Sequence, residues 1–368
     1  MFQNNSLKYC PTQSMKNLLS TNEPEKLAAP LASLGHIAIA GRQEFADSLS
    51  PLINGFVLKE LLWSTKLQGL KCLTLWLLSR QITGNKAKQI LNLFCWLIRT
   101  EGILENWEYL SLVSRAHLRL GAALALLKVS QEPCYYSLLS QQDIQLLSLM
   151  INDECFQVRE AFAKKLHKAL LVLRAPLELL AAFSLAAKDP VLKCCTHARV
   201  CVKQNINTRR SYIQKHGLQR EQLIHLLPEN VVPYMVHLLA HDPDFTDTRN
   251  HCQTDDIKRC LWLVLEVLLS RDENNSHAYM LRALENMKKM NDVQDIGKKD
   301  PNKKLYKVCD IAVELITSHS HAHTEQLTLN PHLPSKLFSF ASIQPSLQSE
   351  QKTGSRKGKR KSSDDRTH

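Results

Sequence analysis

The sequence predicts an all-α protein, built as a HEAT-type helical-repeat solenoid and followed by a disordered C-terminal tail. Three observations predict this fold. Glycine and proline are scarce, at 11 and 14 of 368 residues, and many of them fall between apolar runs. Apolar residues recur at three- and four-residue spacing, with no alternating run long enough to indicate a sheet. Two similar helix openings also lie 36 residues apart, a period typical of helical repeats.

Those two openings begin at Asp153 and at Asp189. Each aspartate is expected to cap free N–H groups of the following helix, while Val158 turns inward. Arg159 is expected to form a ladder, a series of side-chain contacts with neighbouring repeats. Asp242-Pro243, after an apolar stripe, predicts another helix start of the same kind.

Reading outward from these openings gives the remaining helices. They are predicted near residues 24–40, 51–64, 67–80, 86–101, 114–131, 141–151, 175–187, 219–227, 229–240, 254–270, 276–290 and 303–317, with helices opening at Asp153 and Asp189 between them. Each is apolar on a face too wide to stand alone, so stacking must bury it. A compact helical bundle is the alternative architecture.

Charge and composition separate the body from its end. The net charge is +12, but six Lys and Arg residues lie between residues 352 and 361, a stretch without any acid. The other 358 residues carry only +6, so basicity is mainly a property of the tail. Residues 319–368 hold too few clustered apolar side chains to offset chain entropy. No apolar run is long enough to suggest a membrane span.

Candidate chemical sites are weak. No Walker loop, dinucleotide fingerprint, nucleophile elbow or HExxH is present, so an enzyme is not predicted. The eleven cysteines contain no CxxC pair and indicate reduced thiols. The strongest metal candidate is the set Cys194, Cys195, His197 and Cys201, which is better explained as a repeat helix with inward thiols. His319, His321 and His323 could bind metal adventitiously. No metal or other cofactor is therefore predicted.

Several segments closely resemble the precocious-dissociation-of-sisters family of cohesin-associated proteins. They occur in family order: SLGHIA (33–38), QEPCY (131–135), INDECFQVR (151–159), FAKKLHKAL (162–170), AKDP (187–190), LLPENVVPYMVHLLAHDPDF (226–245), ENNSHAY (273–279) and KLYKVCD (304–310). The resemblance covers roughly residues 25–318. Family members are several times longer, so this chain resembles only their last repeats and the start of their tail.

The resemblance implies a nuclear, non-enzymatic regulator of sister-chromatid cohesion in mitosis. It implies binding to the cohesin complex through its kleisin subunit, and association with the release factor Wapl. Two alternatives stay open: a general HEAT-type adaptor without cohesin contact, and a protein that binds DNA directly through its tail.

The basic cluster Arg356, Lys357, Lys359, Arg360 and Lys361 is the one site that the sequence singles out. It fits a nuclear-import signal, and it also fits electrostatic contact with DNA phosphates. A solvated tail without either role is the third reading. Partner-binding residues in the body cannot be named from the sequence.

The chain is therefore divided into three parts. Residues 1–20 are expected to be a divergent N-terminal segment, residues 21–318 the repeat array, and residues 319–368 the tail. An internal repeat leaves its stacking surface bare when nothing precedes it. We expect Met15, Leu18 and Leu19 to form a partial cap over that surface.

Overall fold

The computed structural model describes residues 27–40, 63–80, 84–103, 111–217, 225–270, 276–295, 302–319 and 330–340. Within these ranges the chain is helical apart from its loops and one pair of three-residue strands. The predicted all-α fold is confirmed. None of the described helices combines the length and the apolar character that crossing a membrane requires.

The described helices follow the predicted order closely. They are α1 (Ala28–Ala40), α2 (Trp63–Arg80), α3 (Asn85–Arg99), α4 (Leu112–Val129), α5 (Pro133–Tyr136), α6 (Gln141–Leu149), α7 (Phe156–Leu171), α8 (Leu192–His216), α9 (Val231–Ala240), α10 (His251–Leu269), α11 (His277–Lys288) and α12 (Lys303–Ser318). Short 3₁₀ turns cover Met150–Asn152, Pro228–Asn230 and Val293–Asp295. The helices predicted near 51–64 and 219–227 lie largely outside the described residues.

Each helix packs mainly on helices close to it in the chain. Helix α1 packs on α2, helices α2 and α3 pack on α4, and α4 packs on α7. Helix α7 in turn packs on α8, and α9, α10 and α11 all pack on α12. The buried apolar side chains join into one continuous cluster along this series. Such neighbour-to-neighbour packing is what a helical-repeat solenoid requires.

Two elements differ from the prediction in length or type. Helix α8 extends ten residues past Ile206 and ends at Gly217, whose φ of 53° closes the helix in a left-handed conformation. The segment predicted as a helix over 175–187 is a 3₁₀ helix, Leu177–Lys188, unusually long for its type. All side chains from Leu177 to Ala186 are buried. Its alanines let surrounding helices approach it from every side.

The helix start predicted at Asp242-Pro243 is wrong. Helix α10 begins only at His251, because Asn250 provides the cap: its Oδ1 accepts the N–H groups of Cys252 at 3.0 Å and Gln253 at 3.3 Å. Asp242 belongs instead to the loop before this helix, and its side chain is 2% exposed.

Residues 330–340 depart from the tail predicted to start at residue 319. They contain strand β2 (Phe338–Phe340), which pairs antiparallel with β1 (Met290–Asp292). Leu337 and Phe338 are buried, and Lys336 places its Nζ 4.4 Å from the Tyr136 ring centroid. The sequence did not indicate this burial, because the few apolar side chains here lie in a tail that is otherwise mostly polar. The rest of the predicted tail, residues 320–329 and 341–368, lies outside the described residues.

Candidate functional site

Aspartates at the start of successive repeats pair with arginines of an earlier helix. Arg119 of α4 donates from Nε to Oδ2 of Asp153 at 2.7 Å and from Nη2 to Oδ1 at 2.9 Å. Arg159 of α7 makes the same two-pronged contact with Asp189, at 2.7 and 3.3 Å. The ladder expected through Arg159 is present, and Arg119 adds a second rung to it.

The same carboxylates close local turns. Oδ1 of Asp153 accepts the N–H of Cys155 at 2.9 Å, and Oδ1 of Asp189 accepts the N–H of Val191 at 2.7 Å. Cys155 and Val191 are the N-cap residues of α7 and α8, so each aspartate lies two residues before the cap. The predicted capping of the first helical turn is therefore replaced by an Asx-type turn, which keeps the carboxylate available to its arginine.

A lysine forms the third rung. Nζ of Lys188, the last residue of the long 3₁₀ helix, contacts Oδ2 of Asp242 at 2.6 Å and Oδ2 of Asp244 at 2.8 Å. Oδ1 of Asp242 accepts the N–H of Asp244 at 3.1 Å, which repeats the local turn of the first two rungs. Burial lowers the pKa of Lys188, but the hydrogen bonds to both carboxylates outweigh it and raise the pKa overall.

Two histidines take the place of the cation in the fourth rung. His237 and His241 lie one turn apart on α9, and their Nε2 atoms contact Oδ1 of Asp292 at 3.3 Å and Oδ2 at 2.8 Å. Oδ1 of Asp292 also accepts the N–H of Gln294 at 2.8 Å. Although burial raises it, hydrogen bonds from the two histidines hold the pKa of Asp292 below its usual value.

The histidine rung was not found by reading the sequence. His237 and His241 have the spacing that places two side chains on one helical face, and this spacing was a usable signal. Asp292 is 51 residues beyond His241, so nothing local connects it to them. Only the pairing of β1 with β2 and the packing of α11 and α12 fix its place.

An apolar groove with basic edges lies between α1, α2 and α4. Its volume is about 410 Å³, and no acidic side chain contributes to its described lining. Four exposed basic residues border it: His36, Lys71, His117 and Lys128. The groove therefore combines an apolar floor with the positive charges of Lys71 and Lys128 on its edges.

Gly121 on α4 allows the close helix contact beneath this groove. A Cβ atom at that position would lie 2.5 Å from Cδ1 of Leu67, closer than real Cβ contacts. Gly35 of α1 has a similar role, since a Cβ there would lie 2.9 Å from Cδ1 of Leu75. The two glycines thus let α1 and α4 each approach α2 closely.

The side chains of the thiol cluster on α8 have different neighbours. Cys201 lies 3.6 Å from Nε2 of His197, but Cys194 instead faces Asp189 and Arg159. Burial raises the pKa of Cys201 to about 12, so its thiol stays protonated. His319 contacts the Trp262 ring, with centroids 4.1 Å apart. Its partners in the predicted histidine run, His321 and His323, lie outside the described residues.

The basic cluster of the tail also lies outside the described residues. Its role therefore stays a prediction from the sequence for all five residues, Arg356, Lys357, Lys359, Arg360 and Lys361. The same holds for the cap expected from Met15, Leu18 and Leu19. What the structure adds is the groove and the rungs of the ladder beyond the one expected at Arg159. Both come from side chains far apart in sequence.

Comparison with known proteins places this architecture in a family. A sequence model described as "Sister chromatid cohesion protein PDS5 protein" matches residues 5–339. Sister chromatid cohesion protein PDS5 homolog A is 42% identical over 350 residues in both Gallus gallus and Homo sapiens, covering 89% of this chain and 26% of each relative. Homolog B of Homo sapiens is 39% identical over 344 residues, covering 87% of this chain and 24% of the relative.

The chain thus spans about a quarter of the length of these relatives. The family match begins at residue 5, so it reaches into the segment expected to be divergent, and it ends within strand β2. The family match and the alignments with these relatives each cover far more than half of the chain. The resemblance read from the sequence is confirmed, and the chain belongs to the PDS5 family of sister chromatid cohesion proteins.

Proposed function

We propose that this chain is a non-enzymatic regulator of sister-chromatid cohesion that binds the cohesin complex on chromatin in mitosis. Membership of the PDS5 family over residues 5–339 is the observation that carries the proposal. The architecture supports it, because a solenoid held in register by buried ion pairs is a rigid scaffold for long partners. The proposed location is the nucleus.

The groove between α1, α2 and α4 is our candidate for the partner contact. An apolar floor takes up leucine-like side chains, and the positive charges of Lys71 and Lys128 at its edges favour neighbouring acidic residues. We assign it to a short acidic and apolar segment of a cohesin subunit, the kleisin first. The release factor Wapl is a second candidate for this scaffold.

Co-purification from nuclear extract tests the proposal. The tagged full chain should retain cohesin subunits, and Lys71→Glu with Lys128→Glu should lower their recovery several-fold, because like charges then face the acidic segment. The matched control is Lys86→Glu with Lys88→Glu, the same charge change on exposed positions of α3 outside the groove. Equal losses in both variants would remove the groove from the proposal.

Two other functions predict different results. A general adaptor without cohesin contact should bring down no cohesin subunit even when the groove is intact. A protein that acts by binding DNA through its tail should lose affinity steeply as salt concentration rises, since phosphate contacts release counterions. Recovery of cohesin that survives nuclease treatment and moderate salt supports the proposed protein contact over both.

A further inference from the structure

The fourth rung of the ladder lacks a permanent positive charge. Its Asp292 side chain is 0% exposed, more completely buried than the other three ladder carboxylates, which have Arg119, Arg159 and Lys188 as partners. A buried carboxylate without a compensating charge is costly. His237 and His241 stand where the other three rungs have Arg or Lys, so a bound cation would supply the charge that those rungs already have.

We propose that His237, His241 and Asp292 bind a divalent transition-metal ion of the Zn²⁺ class. Two imidazole nitrogens and a carboxylate oxygen are a donor set that such ions favour. The histidines lie one turn apart on α9 and turn the same nitrogen, Nε2, toward one carboxylate. The three donor groups lie within 4.8 Å of one another.

The two distances from histidine to carboxylate are close to those around a bound metal ion. Zinc binds nitrogen and oxygen at about 2.0–2.2 Å, so two ligands of a tetrahedral ion lie about 3.3 Å apart. The separation of His237 Nε2 from Asp292 Oδ1 is already 3.3 Å. His241 Nε2 lies 2.8 Å from Oδ2, so its ring must withdraw by about half an ångström. Its side chain is 12% exposed, which leaves it room to do so.

A polar cavity borders His241 on one side of the site. Its volume is about 310 Å³, and its charged lining consists of two acids, Asp247 and Asp295, and two lysines, Lys303 and Lys304. A cavity of this size and polarity holds water next to His241, which is the source of a fourth ligand. On the other side the Phe338 ring meets His237 edge-on, with centroids 6.0 Å apart. Three protein ligands and one water complete a four-coordinate ion.

A metal here would fasten the end of the array. His237 and His241 belong to α9, whereas Asp292 belongs to β1 and pairs with Phe338 of β2 in the strand register. The ion would therefore tie residues 330–340, through the two strands, to the core of the last repeats. It would do in this rung what Arg159 does for Asp189.

Metal binding by the full chain, purified without a polyhistidine tag and stripped with chelator, tests this proposal. We expect one equivalent of Co²⁺ or Zn²⁺ to bind and to raise the melting temperature. Asp292→Asn and His241→Gln should each weaken binding at least about 100-fold, since even outer contacts of metal ligands are worth 10- to 100-fold. X-ray absorption of the Zn²⁺-loaded wild-type chain should show two imidazoles and no sulfur.

Control variants separate this site from others that attract metals. His319→Gln, His321→Gln and His323→Gln together should leave the binding unchanged, as should Cys201→Ser. Binding that disappears in the triple histidine variant, or sulfur in the first coordination shell, would overturn the proposal. So would a wild-type chain that takes up no metal. If Asp292→Asn fails to fold, the wild-type absorption spectrum decides alone.

Discussion

Arg159 and Asp189, 30 residues apart in sequence, form a two-pronged ion pair whose side chains are only 10% and 1% exposed. The same guanidinium donates from Nη1 to the carbonyls of Asp153 at 2.9 Å and Glu154 at 3.1 Å. Arg159 thus joins the start of its own helix to the start of the next one. Its contacts are bidentate and buried, the arrangement in which an arginine cannot be exchanged for lysine.

Asp189→Ala should lower the free energy of unfolding by about 3–5 kcal/mol, because it leaves a buried guanidinium without its charge partner. This is more than the roughly 1 kcal/mol expected if Asp189 were only a helix cap. Urea unfolding followed by circular dichroism measures the difference. Asp256→Ala is the control, since its pair with Arg259 lies on the surface and should contribute less than about 1 kcal/mol. Equal losses in the two variants would contradict the role given to the buried pair.

Arg209 makes the opposite prediction from Arg159. It is also buried, but no carboxylate pairs with it among the described residues, and burial lowers its pKa to about 10. Its Nη1 donates to the carbonyl of Leu170, which the N–H of Leu173 also reaches, and its Nε has no partner. Arg209→Met should therefore keep or raise the stability, by up to about 2 kcal/mol, because an uncompensated charge is replaced by an apolar side chain of similar length.

Thermal melting of Arg209→Met beside Arg159→Met is the measurement. Arg159→Met removes a paired charge and leaves the buried Asp189 carboxylate without its partner. The melting temperature of this variant should therefore fall well below that of the wild-type chain. If the melting temperature falls equally in both variants, the contacts of Arg209 stabilise the chain as much as those of Arg159, and the prediction is wrong.

The fold followed from the sequence because its signals are local. Helical periodicity, scarce glycine and the repeated aspartate openings are visible within short windows, and nearly every described helix lies within a few residues of its prediction. Val158 is 2% exposed, as its inward orientation required. The 3₁₀ form of Leu177–Lys188 was not visible, since an alanine-rich apolar run fits either helix type and packing on all sides selects the thinner one.

The ladder was only half visible for a related reason. Arg159 and Asp189 suggested it, but the spacing between the carboxylate and its partner varies from 30 residues for that pair to 55 for His237 and Asp292. The chemistry of the partner side chain varies as well, from arginine to lysine to histidine. The partner of each carboxylate becomes clear only from the three-dimensional arrangement. In it α9 lies beside β1, and the long 3₁₀ helix lies beside the loop after α9.

Stability should fall as the pH drops below about 6.5, and His167 contributes to this. Burial lowers its pKa and outweighs the hydrogen bond with Gln204, which raises it, and His197 lowers it further. Its Nδ1 accepts from Nδ2 of Asn205 at 2.9 Å, which favours the neutral ring. Burial also lowers the pKa of His197. The unfolded chain therefore binds protons first as the pH falls. Stability is fully present above the unfolded pKa and is lost on descending toward the folded one.

Urea midpoints at about pH 7.5 and about pH 5.5 measure this dependence. His167→Gln should reduce the difference between the two midpoints, because a glutamine does not titrate. His251→Gln, which changes an exposed histidine at the start of α10, should leave the difference as it is in the wild-type chain. An unchanged difference in His167→Gln would assign the pH dependence to other groups.

The basic cluster of the tail should be needed for nuclear accumulation. Six positive charges within residues 352–361 form a short cationic segment without acids, which suits the acidic grooves of an import carrier. A chain of 41.9 kDa enters the nucleus slowly without a carrier, so loss of the signal should be visible. Replacing Lys357, Lys359, Arg360 and Lys361 with alanine should move a fluorescently tagged chain largely to the cytoplasm.

Two controls give this experiment its meaning. Alanine at Lys86 and Lys88 removes exposed positive charge from the body and should leave the distribution unchanged. Fusing a foreign import signal to the tail variant should restore nuclear entry, which shows that the variant stays out of the nucleus only because it lacks a signal. If the tail variant stays as nuclear as the wild-type chain, the cluster is better assigned to DNA. Its removal should then flatten the salt dependence of DNA binding, because each lost phosphate contact lowers the slope by about one.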